Sequence, residues 1–213
     1  MVDKTEITIS SYNNNAKSFE NRFMDLKLYK DTFNTLVKII DSSESILDLG
    51  CGPGNVSKYL LNKNNKYKIT GIDLSENMVS LAKENVPNAV FIQQDIRQLN
   101  NFSNDSYDVI VAAFCIPFLY DEETKDFIEQ IARIVKNNGI IYISTMKGSG
   151  FKYEVPSFSN GDEFFFNYYT NDFLEKEFTR RNLNKMEYIE QDYTNKNGSI
   201  LKDMIYILKK TKS

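Results

Sequence analysis

The feature that most constrains the fold of this chain is a glycine-rich turn within residues 45–60. Ile46, Leu47 and Leu49 form a short apolar run that is typical of a buried strand, and three glycines at alternating positions follow it. A helical pattern begins after the last glycine. Glycine permits both a sharp turn and a close approach of the backbone to a ligand. This order of strand, turn and helix predicts a nucleotide site at one edge of a parallel sheet.

The spacing of the glycines argues against a dinucleotide site. The dinucleotide fingerprint requires a small residue at its first, third and sixth positions, where this chain has Gly50, Gly52 and Asn55. The third glycine is Gly54 instead, and an acid, Asp48, precedes the turn. Tight turns alone explain many glycine triplets, so the ligand has to be identified from the other strand ends.

Acidic residues stand at the ends of the next two predicted strands. Asp73 follows a strand over 67–72, and Asp95 follows a strand over 89–94. Because neighbouring parallel strands open into one crevice at their carboxyl ends, both side chains are expected there. A carboxylate at Asp73 can accept both hydroxyls of a ribose. The alternative role for Asp73 is a helix N-cap, but Ser75 fills that position better.

Strands and helices continue to alternate after residue 95, which predicts a parallel sheet. The predicted elements are strand 107–113, helix 122–136 and strand 139–145. Residues 146–163 are rich in Gly, Ser, Lys and Pro, and they are predicted to form a mobile loop. Two closing strands near 185–193 and 201–209 are predicted to pair as an antiparallel hairpin through the polar turn 194–199.

The first forty residues are predicted to form two helices. Residues 1–10 resemble a frayed start, and apolar residues at helical spacing run from 11 to about 41, with a break near 24–29. Packing against the core is the simpler interpretation for these helices. A second interpretation is that the side chains of the first helix and the break cover a ligand.

Composition limits the chemistry. The 213 residues carry a net charge of -3, so neither a nucleic acid nor an anionic membrane is an expected partner. The chain has no histidine and two cysteines, which excludes histidine catalysis and argues against a metal site. No apolar run approaches the ~18 residues of a spanning helix, and the start lacks a signal-peptide pattern. A cytoplasmic protein, monomeric or homodimeric, is expected.

Read in order, these motifs resemble the class I S-adenosylmethionine-dependent methyltransferases. The resemblance rests on the segments 46–54, 71–75, 94–96, 107–111 and 132–144. It implies an α/β fold: a Rossmann-like, seven-stranded, mainly parallel sheet with an antiparallel seventh strand, helices on both faces and an N-terminal helical lid.

The resemblance also implies a division of the chain and a set of cofactor residues. Residues 1–44 would form a helical cap and 45–213 the S-adenosylmethionine-binding domain, with a substrate or lid loop at about 147–170. The glycine turn would approach the methionine and ribose, Asp73 would bind the ribose hydroxyls, and Phe114 would lie by the sulfonium. The implied cofactor residues are Asp48, Gly50, Cys51, Gly52, Gly54, Asp73, Leu74, Met78, Asp95, Ile96, Ala113 and Phe114.

The implied activity is methyl transfer to a small molecule, leaving S-adenosylhomocysteine. The run 114–118 departs from the Asp/Asn/Ser-Pro-Pro-Tyr/Phe motif of relatives that methylate nucleobase amino groups, which disfavours a nucleic-acid acceptor. No general base is assigned. The run 164–169 fits the core and the pocket equally well. The candidate acceptor residues are Tyr12, Phe19, Arg22, Tyr29, Phe118, Tyr168 and Tyr169. The alternatives are a non-catalytic S-adenosylmethionine-binding regulatory module and a protein methyltransferase.

Overall fold

The computed structural model describes residues 4–41, 44–194 and 198–211, which form six α-helices and nine strands. The helices are α1 Lys4–Phe23, α2 Lys30–Ile39, α3 Asn55–Lys63, α4 Glu76–Asn85, α5 Asp121–Ile134 and α6 Asn171–Thr179. The strands are β1 Ser45–Leu49, β2 Lys68–Asp73, β3 Val90–Gln93, β4 Tyr107–Ala113, β5 Val135–Met146, β6 Gly150–Glu154, β7 Phe164–Tyr168, β8 Leu183–Thr194 and β9 Ile200–Lys210.

Seven of these strands form one sheet in the order β3-β2-β1-β4-β5-β9-β8. The pairs from β3 to β5 are all parallel, whereas β9 runs antiparallel to both β5 and β8. This confirms the predicted Rossmann-like sheet with its reversed strand. The carboxyl ends of β1, β2 and β4 therefore open on the same edge, where open parallel sheets place their ligands.

Helices cover both faces of the sheet. On one face, α5 and α6 bury Phe127, Ile131 and Leu174 against β4 and β5. On the other face, α2 and α3 bury Phe33 and Leu60. The strands between them are apolar on both faces, as expected of parallel strands in such a layered fold.

The first helix begins earlier than its sequence pattern indicates. A frayed start over 1–10 is wrong for the described part, because α1 is helical from Lys4. Its buried residues are mostly polar, among them Thr8, Ser11 and Asn15, so apolar periodicity could not reveal this helix. The break between the two helices, at residues 24–29, is confirmed.

The predicted loop over 146–163 contains a strand. β6 pairs antiparallel with β7 and forms a separate two-stranded sheet.

Helix α5 ends at Ile134, two residues before the predicted end, because β5 starts at Val135 and carries an irregular register next to β4. The antiparallel closing hairpin is confirmed, while residues 195–197 of its predicted turn lie outside the described residues. Among the described helices, none has the length and apolar character required to cross a membrane.

Candidate active site

The glycine turn after β1 has backbone conformations that are unfavourable for residues with a Cβ. Gly50 and Gly52 adopt φ values of +67° and +51°. A Cβ on Gly50 would lie 2.6 Å from the Cβ of Cys115, which is closer than packed atoms approach. A Cβ on Gly52 would lie 3.6 Å from the Phe19 ring and would narrow the gap between the turn and α1. Gly50 therefore permits close packing of the turn on the segment after β4, and Gly52 keeps the turn open toward α1.

Asp73, at the end of β2, is oriented by two backbone donors. The N–H of Gly52 donates to Oδ2 and the N–H of Ser75 donates to Oδ1, each at 2.9 Å. Desolvation raises the pKa of this carboxyl above its usual value, and the two N–H groups oppose that shift. Ser75 caps α4, as predicted, by accepting from the N–H of Met78. The carboxylate is thus fixed in direction and retains lone pairs for a ligand.

Asp48 lies inside the sheet layer rather than in the cavity. It is 1% exposed, and its Oδ2 accepts from the Ser57 hydroxyl at 2.6 Å. Burial raises the pKa of Asp48 to about 6. In this position the side chain links β1 to α3.

A cavity of about 670 Å³ opens at the carboxyl edge of the sheet. Nine of the predicted cofactor residues line it: Gly50, Gly52, Asp73, Leu74, Met78, Asp95, Ile96, Ala113 and Phe114. The other three, Asp48, Cys51 and Gly54, do not line it. Gly54, with φ +81°, starts α3, and a Cβ there would lie 3.1 Å from Val86, so this glycine allows close packing of α3 on α4.

Asp95 is bound by a cation, Arg97, that was not among the residues predicted from the sequence. Arg97 binds both of its carboxylate oxygens: Nε donates to Oδ1 at 3.1 Å, and Nη2 donates to Oδ2 at 2.6 Å. The same guanidinium donates to Thr5 of α1 at 3.0 Å and to Glu123 of α5 at 3.2 Å. One arginine therefore ties the cavity wall at Asp95 to both helices.

Six of the seven candidate acceptor residues line the same cavity: Tyr12, Phe19, Arg22, Tyr29, Phe118 and Tyr168. Tyr169 does not, because it is 1% exposed and its hydroxyl donates to the carbonyls of Ile116 and Leu119 in the core. In β7 the alternation sends Phe166 and Tyr168 to the cavity, while Phe165 packs on the other side against Tyr120.

Asp203 is a cavity residue that was not among those predicted from the sequence. This residue of β9 is 3% exposed, lines the cavity, and accepts from the Tyr29 hydroxyl at 2.6 Å. The Tyr29 ring in turn contacts the ring of Phe114, with the two centroids 4.8 Å apart. Burial raises the pKa of Asp203 to about 6. The available signal was an acid directly before the apolar run 204–208, because buried strand positions rarely carry a carboxylate without a purpose.

Helix α1 covers the cavity and is held by polar contacts along its length. Asn13 accepts from the Ser75 hydroxyl at 2.7 Å, and Asn15 donates to Asp162 at 2.6 Å. The Lys4 ammonium donates to the carbonyl of Phe118 at 2.9 Å and pairs with Glu123. These contacts explain why polar side chains of α1 are buried.

Comparison with known proteins agrees with this geometry. Residues 46–139 match the family described as a methyltransferase domain. A malonyl-[acyl-carrier protein] O-methyltransferase of Bacillus anthracis is 35% identical over 125 residues, which are 58% of this chain and 45% of the relative. A ribosomal RNA large subunit methyltransferase E of Brachyspira hyodysenteriae is 32% identical over 138 residues, 58% of this chain and 69% of the relative. The chain spans half or less of the length of several other curated relatives.

The fold recurs in solved structures. An S-adenosylmethionine-dependent methyltransferase from Methanosarcina mazei superposes with a TM-score of 0.74 at 18% identity, covering 84% of this chain and 98% of the other. At that identity the similarity concerns the fold alone.

Proposed function

Because this chain belongs to the class I S-adenosylmethionine-dependent methyltransferases, we propose that it transfers the methyl group of S-adenosylmethionine to a small-molecule acceptor and leaves S-adenosylhomocysteine. The observation that carries this proposal is one cavity lined at one end by the predicted donor residues and at the other by Asp203 and aromatic rings.

The donor end suits a nucleoside that carries an amino acid. A fixed carboxylate at Asp73 can accept two ribose hydroxyls, and Leu74 and Met78 offer apolar contacts for a base. The turn is open at Gly52, where a Cβ would enter the gap beside Phe19. When bound, S-adenosylmethionine supplies the methyl group on a sulfonium, which is already a reactive donor. We infer that Gly50, Gly52, Asp73, Leu74 and Met78 hold it.

The acceptor end favours a small molecule over a polymer. A cavity of about 670 Å³ is of the size of small-ligand sites, which run ~300–1,000 Å³, and α1 lies across it. The net charge of -3 is not the basic balance that is typical of nucleic-acid-binding domains. The protein's contribution to such a reaction is to position the two reactants and to exclude water. We assign the water-excluding role to α1, as a lid.

Isothermal titration calorimetry with S-adenosylmethionine and S-adenosylhomocysteine tests the donor half of the proposal. Binding of both is expected, and Asp73→Ala is expected to weaken it more than tenfold, since hydrogen bonds to a charged group contribute about 1.5–3 kcal/mol each. The matched control is Asp172→Ala, a carboxylate in the first turn of α6 that does not line the cavity. Absence of binding by the wild-type chain would overturn the proposal.

Turnover tests the acceptor half. Release of S-adenosylhomocysteine is measured with a metabolite extract and, separately, with total RNA. Turnover with the extract supports the proposal. Turnover with RNA alone would assign an acceptor of the kind named for the Brachyspira relative, and binding without any turnover would favour a non-catalytic regulatory module.

A further inference from the structure

Carboxylates line the cavity on both sides of β1. Asp73 and Asp95 follow β2 and β3, whereas Asp203 lies on β9, which is on the opposite side of β1 in the strand order. The first two belong to the donor end described above. Asp203 adjoins the aromatic rings of the acceptor end, through its hydrogen bond with Tyr29.

Asp203 is buried without a neutralising cation. Within residues 4–41, 44–194 and 198–211, no lysine or arginine forms an ion pair with it, and the nearby lysines pair elsewhere. Lys147 pairs with Glu190, and Lys202 pairs with Asp192 at 3.0 Å. Because side chains alternate along a strand, Lys202 points away from the face that carries Asp203. Burying a carboxylate without a partner is costly, so a ligand that supplies positive charge would be bound favourably there.

Three neutral phenols interact with Asp203, and Glu154 of β6, a second carboxylate in the cavity lining, accepts from the hydroxyl of one of them, Tyr168, at 3.1 Å. Tyr29 from the α1–α2 connection, Tyr142 from β5 and Tyr168 from β7 all interact electrostatically with Asp203. Burial raises the pKa of each phenol above its usual value, so each is uncharged at physiological pH. Tyr193 of β8 interacts electrostatically with Tyr29 and also lines the cavity. Aromatic faces beside a carboxylate are suited to a cation.

The cations that line the cavity do not offset this charge. Of the described residues in its lining, Arg22, Lys27 and Arg97 are cationic. Arg22 and Lys27 are exposed, with Lys27 paired to Asp25 at 3.0 Å. Arg97 is held by Asp95 at the donor end. The acceptor end is therefore acidic and aromatic in character.

We propose that the methyl-accepting atom is an amine nitrogen, with its N–H directed at the Asp203 carboxylate. This inference rests on the proposed function, methyl transfer in this cavity. In the step, the acceptor binds as an ammonium and first transfers one proton to the Asp203 carboxylate, which frees the nitrogen lone pair. That lone pair then forms the new N–C bond while the methyl carbon–sulfur bond breaks, and the electron pair of the broken bond remains on sulfur. The positive charge moves from sulfur to the methylated nitrogen, and Asp203 afterwards releases its proton to solvent.

The same geometry disfavours a carboxylate acceptor. A carboxylate placed beside Asp203 would be a second anion in a buried site, and its methylation produces a neutral ester that gains nothing from Asp203. The accepting atom would therefore differ from that of the Bacillus anthracis relative, which is named as an O-methyltransferase.

Isotope transfer identifies the class of acceptor. The full chain is incubated with methyl-labelled S-adenosylmethionine and a metabolite extract, and the labelled products are resolved from the remaining donor by liquid chromatography and identified by mass spectrometry. A product labelled on an amine nitrogen is the expected result. Label only on oxygen, sulfur or carbon of the products overturns the amine assignment and leaves methyl transfer intact. Label in no fraction, with the cofactor bound, overturns methyl transfer itself.

The variant Asp203→Asn tests the role of the charge. It is expected to lower kcat/KM for the labelled amine about a hundredfold, and to leave the affinity for S-adenosylhomocysteine within about twofold of wild type. In the wild-type enzyme, kcat/KM should rise with pH through about 6 as Asp203 ionises, and the variant should lose that limb. The control is Asp192→Asn, on the exposed neighbouring strand. Equal loss of cofactor affinity and turnover would place Asp203 in the donor end and overturn the proposal.

Discussion

The two ends of the cavity each present a carboxylate, but the carboxylates are held by different means. Asp73 receives backbone N–H groups from Gly52 and Ser75, which belong to the same strand–turn–helix units as the site itself. Asp203 receives a single side-chain hydroxyl from Tyr29, which is 174 residues away in the sequence. The proposed donor end is thus built from local backbone geometry, and the proposed acceptor end is assembled from side chains of distant segments.

This difference has a consequence for how each end tolerates change. A backbone N–H donor remains after almost any side-chain substitution that preserves the turn. The donor end is therefore expected to lose ligand binding mainly when the turn itself is altered. A side-chain donor is removed by a single substitution, so the acceptor end can change its specificity without disturbing the fold. The predictions below test this contrast, beginning with the largest expected effect.

Gly50→Ala should be the most damaging change. Alanine at φ +67° is strained by about 1–2 kcal/mol, and its Cβ would overlap Cys115, which adds about 1–3 kcal/mol. We expect the free energy of unfolding to fall by about 3 kcal/mol and cofactor binding to be lost. Gly150→Ala is the matched control, because φ is +72° there and a Cβ would meet nothing within 4 Å. Equal losses in urea unfolding of the two variants would show that the contact with Cys115 is unimportant.

Asp48 should make the fold less stable as the pH rises. Its carboxyl has a pKa of about 6 in the folded chain and about 4 when unfolded, so the folded state binds more protons between these values. The favourable contribution is complete below about pH 4 and is lost as the pH rises through 6, on the order of 2–3 kcal/mol. Asp203 should contribute in the same direction. Denaturant unfolding from pH 4 to 8 should show that the free energy of unfolding falls less steeply with pH in Asp48→Asn than in wild type. The same slope in both proteins would contradict this assignment.

Tyr29→Phe should weaken the acceptor end alone. Loss of the 2.6 Å hydrogen bond to Asp203 should raise KM for the acceptor about tenfold, while the affinity for S-adenosylhomocysteine stays unchanged. Tyr59→Phe is the control. The Tyr59 hydroxyl also donates a hydrogen bond of 2.6 Å, to Asn34, but Tyr59 does not line the cavity. A parallel loss of cofactor affinity in Tyr29→Phe would mean that the two ends are not separable.

Asp95→Asn should have the smallest effect. Its carboxylate is already occupied by Arg97, and partly exposed ion pairs contribute little, so affinity for S-adenosylhomocysteine should fall less than about threefold. Calorimetry on Asp95→Asn and Asp73→Ala compares their affinities for S-adenosylhomocysteine. A loss as large as that of Asp73→Ala would show that Asp95 binds the cofactor directly and releases Arg97 to do so.

Prediction from the sequence succeeded where the signal was local. The glycine turn, the acid after β2 and the Ser75 cap each occupy a few consecutive residues, and the structure contains all three. Nine of the twelve residues predicted to bind the cofactor line the cavity, and their role in binding stays a prediction. It was weakest for α1, because that helix buries polar residues against distant partners such as Asp162 and Ser75. Apolar periodicity carries no information about a helix of that kind.

Sequence alone determined the sheet and its donor edge, because alternating apolar runs and glycine spacing report backbone requirements that each segment meets by itself. Only the tertiary structure decided which side chains share the cavity. It moved Asp48, Cys51 and Tyr169 out of the lining and brought Asp203 of the last strand to Tyr29 of the first helical connection. Contacts between residues so far apart depend on how the layers pack, and no local pattern encodes that.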